Sequence, residues 1–296
     1  MRQFFYFVIS LLGAGFGILP GLPLFAQSLS PLPKIASLDY CADQYVLALA
    51  HRDQILALSE EAHDIHSFYR ERAAGLATTG NSAEEILMLS PELVVRTWGG
   101  YGILPFLDRS KISHVSATYG SDLETLYKNI SLLGQKMGRG QVAARHVERL
   151  KLRVQRLKSA PKSPLKALYL TPGGVTAGKN TTVDKIIHLA GFDSISESMN
   201  VNGWQNLPLE QIMLNPPDLI IGSFFDLPTA QSPWSLSRHK RINSMLENIP
   251  TILLPGRYLA CDGLFAVEAA EFIRNKAADH GLIPPLSAPL QTGENP

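Results

Sequence analysis

Ser82-Ala-Glu84-Glu-Ile86-Leu-Met-Leu-Ser-Pro91-Glu-Leu93-Val-Val95 and Pro208-Leu-Glu210-Gln-Ile212-Met-Leu-Asn-Pro-Pro217-Asp-Leu219-Ile-Ile221 are two versions of one pattern. Each begins with apolar residues at helical spacing, passes a proline and ends in an aliphatic run. That is a short helix, a turn and a buried strand. Subtracting 84 from 210 gives an offset of 126 residues, which also superposes Ile86 on Ile212, Pro91 on Pro217 and Leu93 on Leu219. The interval is too long for a solenoid period and has the length of a domain. Two similar lobes follow.

Outward from that pattern, both lobes open alike. Residues 34–38 read as a strand and 42–50 as a helix with apolar residues at helical spacing. In the second half 166–170 read as the strand and 183–190 as the helix, closed by Gly191 as its C-cap. Further strands are predicted over 112–117 and 250–254. Strands alternating with helices imply an α/β class with parallel sheets covered on both faces. A helix over 123–137 is interrupted at Gly138-Arg139-Gly140, and a run over 141–158, rich in Arg and Lys, continues without Gly or Pro. One long helix crossing between lobes is a stiff connection, not a flexible linker. The expected organisation is an N-terminal lobe over 33–138, a connecting helix over 139–160, a C-terminal lobe over 161–282 and a disordered tail over 283–296.

Residues 1–26 set the compartment. Arg2 precedes an uncharged apolar run from Phe4 to Leu19, broken by Pro20, Gly21 and Pro23 and ending in Leu24-Phe25-Ala26. This is the layout of a secretory signal peptide cleaved after Ala26 rather than of an uncleaved anchor. With 27 basic and 26 acidic residues the chain lacks the basic excess of a nucleic-acid binder. Two cysteines in an oxidising compartment allow one disulfide but not a disulfide-built fold.

Four constellations carry candidate chemistry. Gly173-Gly-Val-Thr-Ala-Gly178-Lys179-Asn180 approximates a phosphate loop, with Asn180 where the metal-holding hydroxyl belongs. The plainer reading is a Gly-rich turn at a cleft edge whose amides could face an anion. Cys41 and Cys261 follow predicted strand ends, one per lobe, where open α/β sheets bind ligands. They fit a disulfide tying the lobes, soft metal ligands, or a nucleophile paired with His63 or His66. Glu84 and Glu210 fit favourable placements at helix starts, with Ser82 and Glu85 matching a capping box. As an equivalent exposed pair they would also suit a dimeric partner with two basic sites. Trp98, Tyr101, Trp204, Phe224, Phe225, Trp234 and Tyr258, with His63, His66, Arg70, Arg72, Arg96 and Arg257, fall in or beside loops after strands. Aromatic walls with a few polar groups describe a site for a flat or chelate-like ligand, although many of these aromatics belong equally well in the core.

The residues carry a resemblance. Ser37-Leu-Asp-Tyr40-Cys41-Ala-Asp-Gln44 resembles the first strand and helix of the periplasmic binding proteins that serve ABC importers of vitamin B12, ferric siderophores and haem. The segments starting at Glu84 and Glu210 resemble the family's E-x-I-x-x-L-x-P-D-L-V-I stretch and its second-lobe copy. The resemblance spans about residues 33–280. It implies the class III architecture: two α/β lobes, each a parallel-sheet core flanked by helices, joined by one long helix. It implies a periplasmic monomer that captures a metal chelate between its lobes and is not an enzyme. The chelate would be a corrinoid or ferric siderophore, less readily haem, and no resident cofactor or metal is called for. The implied partner is an inner-membrane ABC permease with its ATPase, docked through Glu84 and Glu210. Trp204 stands six residues before Glu210, as a cleft Trp does in the vitamin B12-binding member, and Trp98-Gly99-Gly100 resembles a W-R-G-G stretch displaced by one residue. The expected ligand contacts are Tyr40, Cys41, His63, His66, Arg70, Trp98, Tyr101, Trp204, Phe224, Arg257, Tyr258 and Cys261. The two cysteines depart from the vitamin B12 protein and leave the ligand open. The readings from other classes are an exported enzyme using a cleft Cys or a bound metal, and a free-metal-ion receptor.

Overall fold

The aliphatic runs after Pro91 and Pro217 become inner strands of two parallel sheets. The computed structural model describes residues 31–227 and 240–286. The signal peptide reading, Trp234 and tail residues 287–296 lie outside the described residues. The first lobe holds β1 (Ile35–Ser37), α1 (Tyr40–Leu49), β2 (Ile55–Ser59), α2 (Arg70–Ala73), β3 (Thr78–Thr79), α3 (Ala83–Leu89), β4 (Leu93–Arg96), α4 (Leu104–Arg109), β5 (Ser113–Ser116) and α5 (Leu123–Lys136). Helix α6 (Gly140–Ser159) leads to the second lobe. There follow β6 (Lys166–Leu170), β7 (Val175–Ala177), α7 (Thr182–Ala190), β8 (Asp193–Ser194), α8 (Ile195–Ser198), β9 (Trp204–Asn206), α9 (Leu209–Leu214), β10 (Leu219–Ser223), α10 (Lys240–Asn248), β11 (Thr251–Leu254) and α11 (Ala266–Asp279).

The first sheet has the order β3-β2-β1-β4-β5 and the second β11-β10-β6-β8, every pairing parallel. Strands β4 and β10 are buried along their whole length, as parallel strands covered on both faces must be. The α/β, two-lobed, class III architecture expected from sequence is the one found.

The internal repeat has a structural basis. Leu93 pairs with Ile35 on β1, and Leu219 pairs with Ala167 on β6. Just before each pair, the Glu92 carboxylate accepts from the Lys34 backbone N–H, and the Asp218 carboxylate accepts from that of Lys166, both at 2.8 Å. Each sheet also backs onto a small outer core. One contains Ala36, Leu38, Ile86 and Val94; the other contains their equivalents Leu168, Leu170, Ile212 and Ile220.

The larger core is shared. A single cluster of buried side chains runs from Ile35 and Val46 through Leu133 and Val147 to Tyr169, Ile187 and Ile273. Helix α6 contributes Ala143, Val147, Leu150, Val154 and Leu157, a 3.6-period stripe. Helices α5 and α6 form a hairpin rather than one continuous rod. Gly138 takes φ 70°, and the N–H groups of Gly138 and Arg139 bond Gln135 O and Gly134 O, which is a Schellman stop. Arg153 then anchors α6 to α11 through Glu268 and a two-pronged contact with Glu271. Burial opposes the Arg153 charge, but these carboxylates outweigh it and raise its pKa.

Two segments differ from expectation. Residues 173–180, read as a Gly-rich turn with a weaker likeness to a phosphate loop, hold a strand instead: their middle is β7, paired antiparallel with β9, and Val201 backbone fills the space beside Gly178. The packed chain also runs past Leu282. Ile283 is buried, and Pro284 O accepts from the fully buried Arg274, which also binds Ala190 O and Pro161 O. Burial of the Arg274 stem closes the second lobe around both of its chain ends.

Candidate functional site

Strand β1 ends at Ser37, and two residues later Asp39 caps α1 by accepting from Ala42 N at 2.9 Å. The fully buried Asp39 carboxylate also accepts from Thr97 N at 2.7 Å, from the Thr97 hydroxyl and from Gly99 N at 3.0 Å. It thereby pins the loop after β4 to the start of α1. Gly99 sits so close to Asp39 and Leu38 O that a Cβ there would collide with both. From the other side Arg96, itself buried, donates to Gly99 O, Trp98 O and the Ser116 hydroxyl, and its guanidinium lies 4.6 Å from the Tyr101 ring centre. Arg96 therefore holds the loop rather than a ligand. What the loop presents is Trp98, 56 % exposed.

The loop after β5 is held in the same manner. Asn129 on α5 accepts from Thr118 N at 2.9 Å and donates to Thr118 O at 2.8 Å. This leaves Tyr119 standing out of the surface, 84 % exposed.

These two loops face residues 260–264 of the second lobe. Cys41 and Cys261 are joined in a disulfide with their Cα atoms 5.4 Å apart, and the Tyr40 hydroxyl donates to Ala260 O at 3.1 Å. Both sulfurs are thus consumed, leaving neither a thiolate nucleophile nor a thiolate ligand. The rings of Tyr40, His66 and Trp98 gather beside the disulfide, with centroids 4.5 Å (Tyr40–His66) and 5.7 Å (Tyr40–Trp98) apart. Behind them Phe68 stacks on Phe265 at 3.9 Å and meets Tyr258 at 5.1 Å, an aromatic seam between the lobes. Gln44 fixes that seam: it accepts from Tyr69 N and donates to Tyr40 O and the Ser67 hydroxyl.

A cavity of about 290 Å³ lies at this junction, lined by Thr97, Trp98, residues 117–120, Leu126, Asn129, the disulfide and residues 260–264. It opens beyond the carboxyl ends of β4 and β5, where open parallel sheets bind ligands. Among the described residues lining it, Asp262 alone is charged. One carboxylate oxygen accepts from the Thr182 hydroxyl at 2.6 Å, the other is buried, and the Tyr119 hydroxyl also interacts with this carboxylate. Its charge raises the Tyr119 pKa, with a smaller contribution from burial. Tyr45, also lining the cavity, is pushed up to about 12, chiefly by burial and further by Asp262, against the lowering effect of its Asn129 hydrogen bond.

Of the residues expected to touch a ligand, Cys41, Trp98 and Cys261 line this cavity, and Tyr40 and His66 back Trp98. The others lie elsewhere. Tyr101 rests on Arg96, and Arg257 on Tyr258. The Arg70 guanidinium donates to Ile65 O and approaches Glu71. His63 ends a short 3-10 turn, Glu60–His63. Trp204 stacks edge-on with Tyr169 at 5.8 Å, and Phe224, at φ 64°, packs against Gly256. Asp39, Tyr119, Asn129 and Asp262 were missed. Asp39 had a visible signal, an Asp between a strand and a helix. The others follow strand ends in loops without motif spacing.

Glu84 and Glu210 are both exposed, in the first turns of α3 and α9. The α3 cap is made by Ser82 with Glu85, through Glu85 N to the Ser82 hydroxyl and that hydroxyl to the Glu85 carboxylate. Among the described residues neither Glu84 nor Glu210 has a side-chain hydrogen bond or ion pair.

A family model described as periplasmic binding protein matches residues 35–242. The fold is similar to that of the periplasmic haem-binding protein HutB of Vibrio cholerae, with TM-score 0.66 and 22 % identity over 81 % of this chain and 97 % of that one. It is also similar to the periplasmic haem-binding protein RhuT from Roseiflexus sp. RS-1, with TM-score 0.61 and 19 % identity over 83 % and 100 % of the two chains. The periplasmic vitamin B12-binding protein BtuF of Vibrio cholerae gives 0.60 and 20 %, over 85 % and 98 %. These identities establish a shared fold. No curated protein matches the sequence. Among the described residues no helix is long and apolar enough to cross a membrane.

Proposed function

The chain belongs to the periplasmic binding protein family, and from that premise we propose that it is the substrate-binding component of an ABC importer, exported to the periplasm. It captures a metal chelate between its lobes and hands it to a permease. The observation that carries the reading is the junction cavity: exposed aromatic rings at its mouth, and one acid and no base among the described residues that line it. At about 290 Å³ it takes one arm of a chelate, while the flat body rests against Trp98 and Tyr119. A buried carboxylate in the lining favours an arm that donates a hydrogen bond and disfavours another carboxylate. A corrinoid, with carboxamide arms, fits best. A ferric siderophore with neutral or cationic arms comes next, and haem, with two propionates, fits least.

Titrating the mature protein with cyanocobalamin, a ferric hydroxamate and haemin, read by absorbance and tryptophan fluorescence, tests the ligand. Corrinoid binding that weakens at least tenfold in Asp262→Ala is expected. Haemin binding tighter than either other ligand would overturn the assignment.

Delivery rests on Glu84 and Glu210, equivalent exposed carboxylates with no side-chain partner among the described residues. They suit two equivalent basic sites on a dimeric permease. Reversing both to Arg should abolish transport and leave ligand affinity unchanged. Normal uptake by that double variant would remove the docking role.

A further inference from the structure

A cluster of one histidine and two carboxylates lies outside the junction cavity, on the second lobe. Asp184 and His188 are one helical turn apart on the same face of α7. The chain then passes through β8 and returns Glu197 of α8 to that face. His188 Nε2 is 3.2 Å from Glu197 Oε1 and 3.9 Å from Asp184 Oδ2. One ligand atom from each of the three lies within 4.8 Å of the others. We propose that Asp184, His188 and Glu197 bind a divalent transition-metal ion, with Zn²⁺ the best fit, through one imidazole nitrogen and two carboxylates.

Three observations support the site independently of ligand capture. First, Asp184 is only 7 % exposed, and its Oδ1 is buried with no hydrogen-bond partner. Its other oxygen, Oδ2, is the one that faces His188, and a cation held there would offset the cost of burying a carboxylate with so few partners. The buried Asp43 of the other lobe is satisfied instead, by Ser59 N at 3.0 Å and the Ser59 hydroxyl at 2.6 Å. Second, the spacing fits. Zinc bonds of about 2.0–2.1 Å in a tetrahedron place neighbouring ligand atoms about 3.3 Å apart. The His188–Glu197 separation already has that length, and Asp184 needs only a small side-chain rotation. Third, Asp193 Oδ1 lies 4.0 Å from His188 Nδ1. A carboxylate beside the far ring nitrogen favours the tautomer that leaves the Nε2 lone pair free for a metal.

The donor set also selects the ion. One imidazole and two carboxylates leave a fourth position for water, which suits Zn²⁺. Calcium and magnesium require more oxygen ligands than these side chains supply. None of the three residues lines the junction cavity. A bound ion would clamp the β8–α8 segment onto α7 and stiffen the second lobe without touching the captured ligand.

The competing account is an ion-pair cluster, in which a protonated His188 serves the surrounding acids and needs no metal. Isothermal titration of untagged, chelator-treated mature protein with Zn²⁺, Mg²⁺ and Ca²⁺ separates the two. One equivalent of Zn²⁺ should bind with a dissociation constant of about 10 µM or tighter, with Mg²⁺ and Ca²⁺ silent. His188→Ala and the exposed Glu197→Gln should each weaken Zn²⁺ binding at least tenfold, with circular dichroism unchanged. Co²⁺ should give the visible absorption of a tetrahedral site in the parent protein and not in His188→Ala. No Zn²⁺ uptake at 100 µM would overturn the proposal, as would Zn²⁺ binding that both variants retain.

Discussion

The two lobes are alike in frame and unlike at the cleft. Their outer cores use equivalent residues, and both sheets tie the first strand to its neighbour through a carboxylate just ahead of the inner strand. Yet Lys34 precedes Glu92 by 58 residues, while Lys166 precedes Asp218 by only 52. The first lobe spends the difference on a longer β2 and on β3, which has no counterpart. The connections after the first strands differ more. Residues 38–39 carry β1 straight into α1, so Asp39 can reach the loop after β4. Residues 171–181 instead fold β7 before α7 begins, and the equivalent Thr171 bonds only locally, to Val175. The duplicated frame places Glu84 and Glu210 at equivalent exposed positions, and the divergent connections make the two sides of the cleft unlike.

The largest test of that division cuts the covalent link. The disulfide joins Cys41 and Cys261 across 220 residues of chain, so Cys41→Ala with Cys261→Ala should cost about 4 kcal/mol. That corresponds to a fall in Tm of roughly 10 °C by calorimetry. A fall of only a degree or two would show that the shared core and aromatic seam hold the lobes unaided. Next comes the frame itself. Ile86 and Ile212 are both fully buried in equivalent outer cores, and each truncation to Ala should cost about 3 kcal/mol. Urea unfolding of the two variants should agree to within about 1 kcal/mol, and a larger gap would break the equivalence. At the cleft the lobes should part company. Asp39→Asn exchanges a charged acceptor of four hydrogen bonds for a neutral amide and should cost about 2 kcal/mol and weaken ligand binding. Thr171→Ala should cost below about 1 kcal/mol. Equal costs would mean that the first-lobe loop is not specially held.

Legibility in the sequence follows the same line. The frame was readable because a parallel sheet demands aliphatic runs and a helix demands a 3.6-residue period, and both survive duplication. The repeat at Glu84 and Glu210 therefore led to the fold. The site was only partly readable. Cys41, Trp98 and Cys261 reach the cavity, but Arg96 and Tyr101 lie in the same loop and serve each other instead. No local pattern distinguishes an Arg that carries a loop from one that faces a ligand, because the difference is set by carbonyl groups that the fold brings together. Trp204 and Phe224 were displaced for a related reason. Trp204 is placed by its spacing from Glu210 and Phe224 by its position after a strand, and neither spacing fixes the direction a ring takes: one ring meets Tyr169 and the other Gly256.

The smallest expected effect concerns acidity, and it separates the first lobe from the seam. Asp43, inside the first lobe, has a pKa raised to about 6, chiefly by burial. Its folded value exceeds the unfolded one, so its contribution is complete below about pH 4 and is lost as pH rises through about 6. His146 lies on α6 in a crevice bordered by Tyr69, Phe265 and Glu268, and its pKa is lowered to about 4. Burial is the main cause, aided by Arg149, Arg153 and Arg72. A depressed folded value reverses the sign. Its contribution is complete above about pH 6.5 and is lost as pH falls through about 4. The two slopes therefore oppose each other over the same window, and the parent protein shows only their difference. Calorimetric scans from pH 4 to 7 expose each one. The Tm advantage of the parent over Asp43→Asn should shrink as pH rises, and its advantage over His146→Gln should grow. An advantage over His146→Gln that stayed flat across this window would mean that His146 is solvated like a surface residue instead of being packed in the crevice beside Tyr69 and Phe265.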